Sequence, residues 1–328
     1  MNKKVTIFAV ALIVIGIIGT ISSSLFAVPF ATNYVKELEK EANKEVTIYD
    51  KKVDINQLEI DTRHVNVEIR KSNSDKLKIV QLGKTNNKTF TIDNKENNFS
   101  IKENDENYNF NVQIQGFGDA IIEMMNLGPN KIIVYVPNEV DIKAKTLGGS
   151  LIIEDKNAIL DNVTFDTAYG RIFLSNEIKN MKNLKISAED SITLTAGEIL
   201  GIENVNISSD SYVNIKSESG DIFTDNIDNY IPNQINVFGD AVMDVDIDSD
   251  IPIAKNLNIV NKLGSVNIDL PIDNYNLQFD LSSENAIYHL DGDNSSDMKT
   301  FKGSFNNFNN NKPEYKINIK AENININR

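Results

Sequence analysis

The sequence predicts an all-β fold: a single-stranded right-handed β-helix, or β-solenoid, with coils of about 21 residues, preceded by one transmembrane helix. Three observations lead there. From Val46 onward apolar and polar residues alternate with a period of two, the mark of strands with one buried face. Past Pro137 the strands recur at a nearly constant interval, as stacked repeats do. The chain also opens on Lys3-Lys4 followed by a charge-free run from Val5 to Ile21. Right-handedness is expected from the chirality of connections between parallel strands.

The N-terminal run comes first. As a helix, Val5 to Leu25 spans about 30 Å, the thickness of a bilayer's hydrocarbon core. Lys3 and Lys4 on the short flank favour a cytoplasmic N-terminus, which places the rest outside the cell. The expected organisation is a cytoplasmic end (1–4), an anchor (5–31), a charged helical stalk (32–45) and an extracytoplasmic solenoid (46–328). The solenoid divides into an N-terminal part (46–137) and repeat coils (138–328). The competing reading of 5–31 is a cleaved signal peptide, because Ser22-Ser23-Ser24 and Leu25-Phe26-Ala27 place small residues near a cleavage point.

In the body, Leu58 to Thr62, Val65 to Ile69, Tyr108 to Ile114 and Ile132 to Val136 are β-branched or aromatic strands. Gly118 to Gly128, with the apolar Ala120 to Leu127, reads as a short helix or loop serving as plug or cap. First strands of successive coils begin at Val140, Val163, Leu184, Val205, Ile235, Leu257 and Leu277, at intervals of 23, 21, 21, 30, 22 and 20. The long interval holds an extra strand, Val213 to Ile215, read as an insertion. Second strands follow at Gly149, Gly170, Asp190, Gly220 and Gly264, each leading residue marking a corner where positive φ is cheap. Such a unit cannot bury its own apolar face, whereas stacked coils share a core. Eight or nine coils at about 4.8 Å make a rod of roughly 40 Å. The outward column Thr164, Lys185, Asn206, Asn236, Asn258 and Gln278 is polar throughout. A β-sandwich would need more hairpin turns than the single Asp291-Gly292.

Composition bounds the function. The formal net charge is −14, and the body beyond Lys3 and Lys4 carries more still, so it repels nucleic acid and anionic lipid. With no Cys, disulfides, thiolate metal sites and cysteine nucleophiles are excluded. His64 and His289 are the only imidazoles. The run Asp244 to Asp250 clusters carboxylates as Ca²⁺ sites do, but it fails the EF-hand pattern: Ser249 stands at the sixth position and Lys255 at the twelfth. The run is read instead as a solvated acidic strand face. Arg171 with Asp166 reads as a surface ion pair rather than a catalytic pair, and neither His has a nucleophile at a meaningful spacing. Tyr169, Tyr212, Tyr230 and Phe238 are candidates for an aromatic glycan platform. No catalytic, cofactor-binding or metal-ligating residues are assigned, and no cofactor is expected.

The phrases Val134-Tyr135-Val136-Pro137, Val140 to Ala144, Ser219-Gly220-Asp221-Ile222 and Ile268-Asp269-Leu270-Pro271 resemble the bacterial putative-adhesin family that includes LiaG-like membrane proteins. Leu58 to Thr62, Val67 to Ile69 and Ser74 to Ile79 resemble its opening. The resemblance covers most of 46–328 and departs at the corners Asp190 and Asn285. It implies an N-terminal anchor before a β-helix and a link to the cell envelope, and it carries no catalytic residues. The expectation is a single-pass cell-membrane protein with a non-enzymatic binding, adhesion or envelope-stress role. Its partners would be an envelope or membrane protein, or a cell-wall glycan, and not nucleic acid. The alternatives are a wall-polysaccharide enzyme and a bactofilin-like membrane-associated scaffold.

Overall fold

The computed structural model describes residues 43–83, 90–104, 130–137, 139–155, 157–158, 160–217, 226–289, 298–305 and 312–327, with Asn33, Lys36, Glu37 and Lys40 before them. The expected anchor, the Gly118–Gly128 segment, the Tyr108 run, the Gly220 corner and Asp291-Gly292 lie outside the described residues. Among the described residues no helix is long and apolar enough to cross a membrane.

The chain enters through β1 (Glu45–Lys52), β2 (Gln57–Thr62), β3 (Asn66–Lys71), β4 (Lys76–Gly83), β5 (Phe90–Lys95), β6 (Asn98–Glu103) and β7 (Asn130–Val136). Six two-strand coils follow. They are β8 (Asp141–Thr146) with β9 (Leu151–Ile153), β10 (Asn162–Thr167) with β11 (Ile172–Leu174), and β12 (Met181–Ala188) with β13 (Ser191–Thr195). Next come β14 (Ile202–Ser209) with β15 (Tyr212–Lys216), β16 (Gln234–Val242) with β17 (Asp244–Asp248), and β18 (Asn256–Leu263) with β19 (Ser265–Asp269). The chain finishes with β20 (Asn276–His289), β21 (Thr300–Gly303) and β22 (Glu314–Asn327). The protein is all-β and solenoid-like, with first strands stacked in parallel in the order β6-β2-β8-β10-β12-β14-β16-β18-β22.

The register follows the alternation. Ile142, Val163, Leu184, Val205, Ile235 and Leu257 stand in one inward column, with Ile317 next. All are buried in a single apolar core that runs from Ile55 to Ile326. Among the repeat coils the column begins at Ile142 rather than Val140, so the first interval is 21 residues, like the two after it, and Leu58 and Phe99 extend the column beyond Ile142. Leu277 is not in the column: it pairs with Tyr315. Val213 to Ile215 is no insertion either. It lies in β15, the second strand of its coil, paired with β13 and β17, and the surplus residues come after Lys216. The acidic run is likewise a second strand, β17.

Both ends depart from simple winding in the same way. The late strand β22 is seated between β18/β19 and β20, pairing in parallel with all three. At the other end the early β2/β3 coil sits between β6/β7 and β8/β9. Antiparallel strands then close the edges, β5 on β6, β4 on β7 with β1 outside it, and β21 on β20. A row of unpaired parallel-strand edges invites aggregation, and antiparallel caps cover it.

The corners correct another expectation. Gly149 and Gly170 do not have positive φ; among the corner glycines described only Gly264 does, at 128°. Close approach is what selects glycine. A Cβ at Gly149 would stand 2.1 Å from the Val65 carbonyl oxygen, and one at Gly170 would stand 2.0 Å from that of Gly149. At several corners a buried polar residue near the end of the first strand serves the turn, with Ala188 of β12 and Gly239 of β16 the exceptions in that column. The amides of Gly149 and Gly170 donate to Thr146 and Thr167 Oγ1 at 2.6 and 2.7 Å, the Ser209 and Ser283 hydroxyls donate to carbonyls, and Asn261 Nδ2 donates to the Met243 carbonyl.

The second-strand stack is broken once. β3, β9 and β11 form one sheet, and the stack resumes at β13. A four-residue helix, α1 (Ala196–Ile199), marks the break with a capping box in which the Glu198 amide donates to Thr195 Oγ1 and the Glu198 carboxylate accepts from the Thr195 amide. The same carboxylate accepts from the Leu174 amide of β11 at 3.1 Å, which ties the two stacks together.

Candidate functional site

The broad outward face of the first-strand sheet is ordered by side-chain amides. In one column Asn162 Nδ2 donates to Asp141, Asn183 to Asn162 and Asn204 to Asn183, at 2.8, 2.7 and 3.1 Å. A second column begins where Lys185 gives way to Asn206. There Asn236 donates to Asn206, Asn258 to Asn236 and Asn318 to Asn258, at 2.8, 2.9 and 2.8 Å. Parallel strands repeat at about 4.8 Å, which lets identical side chains bridge coil to coil. Asn236 Oδ1 accepts from Gln234 Nε2 as well, at 2.8 Å, which spends both of its lone pairs within the face. The result is an ordered polar face on which amide ladders run beside charged side chains such as Lys143 and Lys185. The sequence-predicted polar column is real from Thr164 to Asn258, but Asn318, not Gln278, is the next rung. The signal that was available is Asn recurring at the coil period.

On the second-strand face carboxylates gather on β17, between Lys216 of β15 and Asp269 of β19. On β17 Val245 and Ile247 point into the core while Asp244, Asp246 and Asp248 point out. Asp246 accepts from the Tyr212 hydroxyl and from Asn267 Nδ2, and Asn325 continues that ladder onto Asn267 at 2.6 Å. The hydrogen bond to Asp246, with burial and Asp244 after it, pushes the Tyr212 hydroxyl up to about 12. Asp244 accepts from the Ser265 amide at 2.9 Å. Asp248 stands beside Asp269 across β17 and β19. Burial, then Asp248 and Asp250, raise the Asp269 carboxyl above its ordinary range. Among the described residues no group of three or more His, Asp or Glu is arranged to hold a metal ion.

The remaining residues singled out from the sequence are scattered. Arg171 and Asp166 are both exposed and no ion pair joins them, contrary to expectation. His64 sits in the turn before Val65, and its carbonyl accepts from Asn130 Nδ2 at 2.7 Å. His289 ends β20, where its backbone faces Ile326. The four aromatics form no platform. Tyr169 is an exposed corner residue, Tyr212 is tied to Asp246, Tyr230 follows a 3₁₀ turn, and Phe238 lies beside Val260 with the Lys262 ammonium 5.5 Å from its ring centroid.

None of the curated proteins matches the chain. It is similar to the solved structure of a putative adhesin from Bacteroides fragilis, at 13% identity and a TM-score of 0.42, over 87% of this chain and 97% of that one. A putative cell adhesion protein from Clostridium sporogenes has 11% identity and a TM-score of 0.24, over 87% of this chain and 99% of that one. A putative adhesin from Parabacteroides merdae has 11% identity and a TM-score of 0.25, over 87% and 96%. Likenesses this distant say nothing of what this chain binds. The family described as Toastrack DUF4097 matches residues 55–327, from the first core residue at Ile55 to the last position of β22. The chain belongs to the Toastrack DUF4097 family, in keeping with its resemblance to putative adhesins.

Proposed function

We propose that this chain is a single-pass membrane protein whose solenoid stands outside the cell and acts as a non-enzymatic binding module of the envelope. The observation that carries the reading is the amide-laddered face. Its side chains are held in register by one another, so a large rigid surface is presented without the cost of ordering it on binding. The acidic body favours partners that are neutral or cationic, such as an envelope protein or a wall glycan, over nucleic acid or anionic lipid. The charge-free run Val5–Ile21 behind Lys3 and Lys4 supports an uncleaved anchor with the N-terminus inside. The coil is right-handed in this reading, by the chirality of parallel connections.

The test is protease shaving of intact cells that carry a C-terminal epitope tag, with membrane and medium fractions probed together. Loss of a membrane-bound tag is expected. A tag protected from protease would refute the topology and favour a cytoplasmic scaffold, and a shortened protein in the medium would show a cleaved signal.

A further inference from the structure

One pocket of the body combines an aromatic ring, carboxylates and an amide. It has a volume of about 340 Å³ and is lined by Asp228, Asp250, Asn274, Tyr275, Lys312 and Pro313. That size is at the lower end for small-molecule sites, about 300 to 1,000 Å³.

Each wall is held from behind. Asp228 lies on a 3₁₀ turn, Ile227–Asn229, pinned by the buried Ile227, and its carboxylate accepts from the Tyr315 hydroxyl. Tyr315 is itself 1% exposed, and its ring packs on that of Tyr275 in a T-shaped pair with centroids 5.8 Å apart. Burial, followed by the hydrogen bond to Asp228, raises the Tyr315 hydroxyl far above its ordinary value, which keeps it a donor. The Asp250 amide donates to Ser217 Oγ at 3.0 Å, which fixes that corner. Lys312 is committed to the rim: its ammonium donates to the Asn274 carbonyl at 2.6 Å, while Asn276 Nδ2 donates to the Lys312 carbonyl at 3.0 Å. The Asp250 carboxylate and the Asn274 side-chain amide have no partner among the described residues.

We propose that this pocket receives one sugar ring that carries no anionic group, and that it is the ligand subsite of the binding module inferred above. The inference rests on that reading. Sugar hydroxyls are donors in vicinal pairs, which the Asp250 carboxylate and Asn274 Oδ1 can accept, and the apolar C–H face of a pyranose packs on a tyrosine ring. Asp228 and Asp250 in the wall, with Asp248 and Asp269 close to Asp250, repel a carboxylated or sulfated sugar. No reaction is implied.

The experiment is saturation-transfer-difference NMR and titration with the full chain in detergent micelles. Three probes are used: the neutral trimer of N-acetylglucosamine, its cationic de-N-acetylated form, and an anionic trigalacturonate. Saturable binding of the neutral or cationic trimer is expected, with saturation strongest on one ring face. Tyr275→Ala and Asp250→Asn should each weaken it on the order of tenfold. Tyr275→Phe, which keeps the ring and the packing on Tyr315, should bind like the parent and guards against loss through misfolding. The proposal is overturned by trigalacturonate binding as well as the others, by binding that ignores Tyr275→Ala and Asp250→Asn, by loss on Tyr275→Phe, or by no saturable binding of any trimer. Failure here with a shaved, membrane-bound tag would condemn the pocket and leave the surface-module reading standing.

Discussion

At the scale of single residues, what the corners select is space. Gly170 has an ordinary backbone conformation, yet an added Cβ would overlap the Gly149 carbonyl at 2.0 Å and Thr167 Oγ1 at 2.6 Å. Neighbouring coils would have to part at that point. Gly170→Ala is therefore expected to cost about 1–3 kcal/mol in chemical denaturation, as overpacking does elsewhere. Asp269 is destabilising for a different reason. Its folded-state pKa is raised by burial and by Asp248 and Asp250, so the folded state carries an unfavourable charge at neutral pH. That penalty is relieved as pH falls through the raised pKa, and it vanishes below the unfolded value of about 3.9. Asp269→Asn should raise the melting temperature at pH 7 and make no difference near pH 3. A melting temperature unchanged at pH 7 would contradict the charge argument.

At the scale of elements, the ladders couple strands that have no loop in common. Asn236 both donates to Asn206 and accepts from Asn258, so one side chain joins β14, β16 and β18. Because the face is partly open, water replaces a lost partner cheaply. Asn236→Ala is expected to lower stability by about 1 kcal/mol in total, with the secondary structure retained in circular dichroism. A loss of several kcal/mol would mean that the ladder carries more of the stability than its partial exposure allows. The capping box of α1 is a stiffer joint, since Glu198 is 9% exposed and serves two backbone amides across the break between stacks.

At the scale of the molecule, the seating of β22 dominates. It is the last described strand, yet it pairs with β18, β19 and β20 over most of its 14 residues, and Ile317, Ile319, Ile324 and Ile326 complete the core. The stack stays incomplete until residues 314–327 have been made. Deleting residues 314–328 should leave β20 without its parallel partner and open the core between coils. Reduced β-sheet signal and strong binding of a hydrophobic dye are the expected readouts. A truncated protein that melts as cooperatively as the parent would show that β22 is an accessory strand. Refolding of the whole chain should also be slow, because these contacts close long loops.

The alternation of apolar and polar residues was enough to determine that the body is all-β, which residues face inward, and that the coil repeats near 21 residues, because strand pleating is local and stacking needs a constant period. It also showed which outward columns are polar. It could not reveal that β2/β3 and β22 are threaded between coils, since period-two patterning is the same whichever neighbour a strand has. For the same reason Leu277 passes for the next rung while Ile317 occupies it. The glycines advertised a turn without saying whether φ or close approach required them. Nor could it bring Asp228, Asp250, Asn274, Tyr275 and Lys312 to one pocket, because these residues come from four separate connections that only the stacking of coils sets side by side.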